Sequence, residues 1–386
     1  MIAITILIFV FFPVLSFPLI FIGLVTDKKH QKLYALMFSL WVGILVYYLE
    51  PNGIDLARYY STMDYYKTLS FNSFVNAGYL KVEPLSKLFI YFIAKTNNYS
   101  LLPLLTSIIS YNILFYIVFD YIKDRNINII ERFLIFLFLI SSFIVVYLVG
   151  IRYVLSSLIF MLALYFDFYK KRNRLFLALL YIISLLLHSG IIICVLCRLF
   201  LIFTKNKLDL KEFIILLLLG ISPNFIFIVL QKLSDISFLS SLSRQLSNYS
   251  NTSYYGVQNM YILQFITLFL TLLFLCYIKF VKSKNNLSNN NFLNFNFILV
   301  VLAILFSSVP TFLQRFLRLL LTNLIIFIID CFYKLKHKEK SIIYIGTFFL
   351  TIPYLAYQII SLLGAGSYGT LFSYGLFKNI ILIFFK

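Results

Sequence analysis

The chain has 386 residues, 62% of them hydrophobic and only 12% charged, with 44 Phe, 29 Tyr and a formal net charge of +19. A mean hydropathy of +0.95 excludes an ordinary soluble domain and points to an all-α, polytopic membrane bundle. The positive charge does not imply nucleic acid as a partner, because the Lys and Arg punctuate short loops between apolar spans, as the positive-inside rule requires.

A window of about 20 residues per span predicts about twelve spans within a single integral-membrane domain over residues 1–386. They lie near 2–25, 33–49, 101–122, 133–149, 153–169, 175–187, 190–203, 213–231, 261–280, 293–309, 312–332 and 341–359. Met1 to Val25 lacks a basic leading region and reads as a first span, not as a cleavable signal. Strict alternation puts loops 26–32, 123–132, 170–174, 204–212, 281–292 and 333–340 on one side. These loops and the adjoining span ends hold most of the Lys and Arg, so that side is expected to be cytoplasmic, with both termini opposite. Residues 84–96 are apolar but too short to span comfortably; we expect an interfacial or re-entrant helix on the outer face.

Two longer outer loops remain, about 50–100 and 231–260, both rich in Tyr, Ser and Asn. Aromatic faces stack on the C–H surfaces of sugars and small polar groups bond to hydroxyls, although interfacial loops carry the same residues for other reasons. The first loop contains Asp55, Arg58, Tyr59, Asp64 and the Glu83-Pro84 pair; the second contains Arg244 and Tyr249. Cys194, Cys197, Cys276 and Cys331 have no His or Cys neighbours at zinc-ligand spacing, and they read as packing residues. No metal or cofactor is indicated.

Ionisable groups at the outer span ends carry more information. Arg152 interrupts an apolar stretch, and Arg315 and Arg318 share one face at the start of a late span. An arginine at mid-membrane costs about 2.5 to 3.5 kcal/mol even on lenient scales, less at an interface. Such a residue is either an anchor reaching for headgroups or a cationic clamp for phosphate, which guanidinium binds in a fork. His188 sits at a turn between two short spans, where it either caps the turn or handles a proton.

Taken in order, these residues resemble the EpsG-like branch of the Wzy-type polysaccharide polymerases. The resemblance is carried by Gly53-x-Asp55 with Tyr59-Tyr60, Glu83-Pro84, Gly150-x-Arg152, His188-Ser189, the Tyr-rich outer loop near Asn248-Tyr249, and the Arg-led late span. It implies an inner-membrane glycosyltransferase that joins undecaprenyl-pyrophosphate-linked oligosaccharides on the periplasmic face, for O-antigen, capsule or exopolysaccharide. It also implies the lipid bilayer, a chain-length regulator and a flippase as partners. Tyr153 and Ser156-Ser157 stand where the family often has Gln and a later Ala, so a contact inferred from that Gln does not transfer.

The chemistry of such a transfer needs cations for the leaving phosphates and an acceptor for the attacking hydroxyl's proton. Arg152, Arg58, Arg315, Arg318 and Arg244 are candidates for the first role, with Tyr59 and Tyr249 as further substrate contacts. Asp55, Glu83 and His188 are candidates for the second; Asp55 leads for its place beside Arg58, with His188 as the rival. A lipid-linked oligosaccharide flippase is the alternative, although internal repeats and mid-span charges would then be expected. A ligase-type transferase differs from a polymerase only in its acceptor.

Overall fold

The structure, a computed structural model, describes residues 1–47, 55–141, 150–204, 258–285, 290–306 and 310–364. Every regular element among them is a helix. The chain divides into two compact units. One comprises Met1–Leu162, Leu186–His188 and Gln358–Lys386, and the other Ala163–Leu185 and Ser189–Tyr357. Among the described residues four helical stretches are long and apolar enough to cross a membrane: Leu101–Ile122, Ile151–Lys170, Ile262–Lys279 and Phe312–Lys334. The expected span 213–231 and the second outer loop, up to residue 257, lie outside the described residues.

In the first unit the apolar run 2–25, expected to be one span, is two short helices, α1 (Ile2–Phe11) and α2 (Phe17–Thr26). Hydropathy is continuous across the break, but Pro13 and Pro18 have no N–H to give, and a proline ring clashes with the carbonyl four residues back. A 3-10 turn at Val14–Ser16 joins the two, and the Ser16 hydroxyl donates to the Pro13 carbonyl at 2.6 Å. Ten residues reach only about 15 Å.

Helix α2 packs against α3 (Gln31–Tyr47) and, later in the chain, α8 (Ile129–Ser141); α3 packs along α7 (Leu101–Ile122). The C-terminal carbonyls of α2 are satisfied by side chains from elsewhere. Arg132 Nε donates to Val25 O at 2.8 Å, its NH2 to Leu24 O at 3.3 Å, and Gln31 Nε2 to Leu24 O at 2.9 Å. Arg132 is buried, so its charge serves as a cap for an adjacent helix end. Asn128 and Glu131 exchange backbone-to-side-chain bonds of 2.9 Å each and start α8 with a reciprocal capping box.

The segment expected as a long outer loop is largely helical where described: α4 (Asp55–Thr68), α5 (Phe71–Asn76) and α6 (Pro84–Lys95). Its aromatic residues build a core. Phe74 is fully buried, with its ring centroid 4.4 Å from Tyr91 and 5.0 Å from Tyr66, and Leu56, Met63, Ile90, Ile93 and Ala94 close the cluster against Leu102 and Ile151. At about 18 Å, α6 is shorter than a bilayer core. Helix α9 (Ile151–Tyr165) then starts with Arg152 in its first turn and runs on as a π-turn to Lys170.

The second unit contains most of α10 (Arg174–Leu187) and of α15 (His337–Gly364), and all of α11 (Ile192–Phe203), α12 (Gln258–Asn285), α13 (Asn290–Leu305) and α14 (Pro310–Lys334). Helix α14 is enclosed by α12 and α13, and Asn323 Nδ2 donates to Asn296 Oδ1 at 2.9 Å between two fully buried side chains. Where the π-turn meets α11, Arg198 forks onto Asp167, with Nε to Oδ2 at 2.7 Å and NH2 to Oδ1 at 3.2 Å. Tyr181 Oη adds a bond of 3.0 Å to the same carboxylate.

Close packing of α2 on α3 depends on Gly23, where a Cβ would stand 2.3 Å from the ring of the fully buried Tyr34. Gly23→Ala is therefore expected to cost about 1–3 kcal/mol by overpacking, read as a lower melting temperature in detergent or nanodiscs. A melting temperature equal to wild type would show that α2 and α3 are not pressed together here.

Candidate active site

Helices α4 to α6 and the start of α9 bring three of the expected residues into one cluster within the first unit. Glu83 lies at the N-cap of α6, immediately before Pro84, and its backbone is left-handed, at φ 53° and ψ 53°. For a residue with a Cβ this conformation costs on the order of 1–2 kcal/mol, and such strain persists only where the surroundings fix it. What fixes it is visible. The Glu83 side chain is 2% exposed and its two oxygens are held separately: Oε1 lies 2.7 Å from Nδ1 of His188, and Oε2 accepts from NH1 of Arg152.

A buried carboxylate needs both pairing and hydrogen bonds to stay charged, and here it receives both. An ionised carboxylate only accepts, so Nδ1 of His188 carries the proton in this bond, and in the neutral ring Nε2 then holds the lone pair. The imidazole is buried, and Tyr153 meets it edge-on with ring centroids 5.7 Å apart. Arg152 is a third exposed; its Nε donates to Tyr59 Oη at 3.0 Å and its guanidinium carbon lies 5.4 Å from the Tyr59 ring centre. Glu83, His188, Arg152 and Tyr59 thus form one hydrogen-bonded chain from segments far apart in sequence.

The other expected residues are placed differently. Asp55 opens α4, and its side chain is not among those described; Arg58 is exposed on the same helix. Asp64 is exposed and accepts from Tyr99 Oη at 2.8 Å. Arg315, half-buried, and Arg318, 6% exposed, lie near the start of α14 in the second unit. Arg244 and Tyr249 lie outside the described residues.

Two groups were not foreseen. Lys87 stands one turn beyond Glu83 on α6, its N–H bonded to the Glu83 carbonyl at 3.2 Å, and it is half-buried. Burial pushes its ammonium below the ordinary lysine range, while the Glu83 charge pulls it upward and Arg152 pushes it down, which places it within the field of both. The i, i+4 spacing from Glu83 was a usable signal, masked because a lysine at an interfacial helix reads as a headgroup anchor. The second group is Asp167, Arg198 and Tyr181 in the second unit, whose partners are too far apart in sequence for spacing to pair them.

No curated protein and no solved structure is significantly similar to the chain. The family model for EpsG matches residues 33–376, which include the whole Glu83, Arg152 and His188 cluster and nearly the whole chain. The chain belongs to the EpsG family, a Wzy-like family of membrane polysaccharide polymerases.

Proposed function

We propose that this protein is a glycosyltransferase that joins oligosaccharide repeat units carried on undecaprenyl pyrophosphate, working at the periplasmic face of the bacterial inner membrane. The observation that carries the reading is the buried Glu83 carboxylate shared between His188 and Arg152. A carboxylate behind a histidine fixes its tautomer and stabilises the imidazolium that forms when Nε2 takes a proton. A guanidinium beside the same carboxylate contributes charge-assisted N–H donors to a pyrophosphate leaving group.

In the proposed transfer the terminal hydroxyl of the incoming lipid-linked unit attacks the anomeric carbon of the growing chain. The new glycosidic C–O bond forms as the bond to the pyrophosphate breaks; the hydroxyl proton goes to His188 Nε2, and undecaprenyl pyrophosphate leaves with the bonding electrons. Glu83 is the positioning residue for His188 and Arg152, and Tyr59 holds the guanidinium plane. His188 is preferred over Asp55 as base because its hydrogen-bond partner is defined and its ring is enclosed. The aromatic cap, with Tyr60, Tyr65 and Tyr99 at its partly exposed edge, offers stacking faces for sugars. Polarity of the loops, with 123–132 and 333–340 expected in the cytoplasm, supports the periplasmic placement of the cap.

Deletion is expected to leave a single repeat unit on the final acceptor in place of a ladder of chain lengths, as seen by gel banding of surface glycan. Loss of all glycan, including the one-unit form, would instead favour export or ligation.

Arg152→Lys keeps the charge but cannot reach Tyr59 and Glu83 from two nitrogens at once, so turnover should fall about tenfold or more. Wild-type chain lengths from this variant at equal expression would reduce Arg152 to an interfacial anchor, since lysine snorkels as well as arginine.

Glu83→Gln retains shape and loses the charge that orients His188, so polymerisation should drop at least tenfold while the protein still accumulates. Glu83→Ala removes one partner of a buried ion pair and should also lower stability, by about 3–5 kcal/mol. Full activity in Glu83→Gln would remove the carboxylate from the mechanism.

A further inference from the structure

We infer that Lys87 is a ligand for the donor's pyrophosphate, adding positive charge beside the Glu83, Arg152 and His188 cluster. The inference deepens the polymerase reading and rests on it, because it names which side chain meets the leaving group.

Charge bookkeeping at the cluster gives the first reason. Arg152 and Glu83 are paired, so together they present no net charge to an arriving anion. A pyrophosphate ester brings negative charge of its own and gains more as its bond to the sugar breaks, which one guanidinium already shared with a carboxylate offsets poorly. Lys87 adds a positive charge beside this pair.

Position is the second reason. Lys87 lies in the first turn of α6, its N–H bonded to the carbonyl of the N-cap Glu83 at 3.2 Å, and the charges of both Glu83 and Arg152 act on it. It is half-buried, yet among the described residues its ammonium makes no ion pair and no hydrogen bond. Lys95, at the other end of α6, shows the contrast: exposed, it donates to the carbonyls of Lys67 at 2.8 Å and Leu69 at 2.6 Å. A partly desolvated ammonium held near a paired carboxylate and guanidinium is costly in the unliganded protein and is repaid when an anion arrives. Lysine also suits a phosphate that must leave, because a compact point charge holds it without a fixed fork.

The test uses the full-length protein in nanodiscs, with inorganic pyrophosphate and undecaprenyl pyrophosphate as probes and binding measured calorimetrically. Lys87→Met keeps the packing of the stem and removes the charge; affinity for both probes should weaken about tenfold. Lys87→Arg should stay within about threefold of wild type. In chain-extension assays the Met variant should raise the KM for the lipid-linked unit more than it lowers kcat. Unchanged affinity in Lys87→Met at native melting temperature would overturn the proposal while leaving the polymerase reading intact. Binding that follows the content of anionic phospholipid in the disc, and not the pyrophosphate, would overturn it by making Lys87 a headgroup anchor. A wild-type protein that binds neither pyrophosphate probe would bring down both the proposal and the donor-site reading.

Discussion

Burial of one carboxylate organises the first unit. Taking Glu83 out of water costs several kcal/mol on its own, and the fold offsets that by giving each oxygen a separate partner, His188 on one side and Arg152 on the other. None of the three belongs to the same element. Glu83 caps α6, Arg152 lies in the first turn of α9, and His188 follows α10. The carboxylate thus fixes the positions of three chain segments at once, and loss of Arg152 leaves its buried charge without its ion-pair partner. The left-handed backbone at Glu83 is the local cost of aiming the side chain inward from a helix start that Pro84 has already constrained.

The cap is what makes this precision affordable. Helices α4, α5 and α6 are short and, by propensity alone, marginal. They are held by a shared aromatic core around Phe74, Tyr66 and Tyr91, and by Lys95 and Tyr91 Oη bonding to the carbonyls that end α4. The same cluster includes Ile151, the residue next to Arg152, so the scaffold that orients Glu83 also sets the start of α9. The scaffold thus adjoins the site through Ile151 and the first turn of α6.

Much of this was legible in the sequence because membrane text is mostly apolar and polar islands stand out. Glu83, Arg152 and His188 were each visible as such islands, and their order carried the family resemblance. Ranking them was not possible. Asp55 looked favourable for lying three residues from Arg58, but closeness in sequence says nothing about burial; among the described residues the carboxylate that meets both an arginine and a histidine is Glu83, 69 residues from Arg152 and 105 from His188. The first outer segment read as a loop because Tyr and Asn are interfacial residues in any context; only the three-dimensional meeting of Tyr66, Phe74 and Tyr91 turns them into a core. The first span read as continuous because hydropathy scores side chains and ignores the backbone donors that Pro13 and Pro18 lack.

The ion pair in the second unit has a consequence of a different kind. A lone charge displaced through a membrane potential changes energy by about 2.3 kcal/mol per 100 mV. Asp167 and Arg198 are locked to each other by two hydrogen bonds, so any motion of the π-turn with α11 carries them together. The pair is electrically neutral as a body. Voltage across the membrane therefore exerts almost no net force on the pair, and in the π-turn it acts on Lys170 instead.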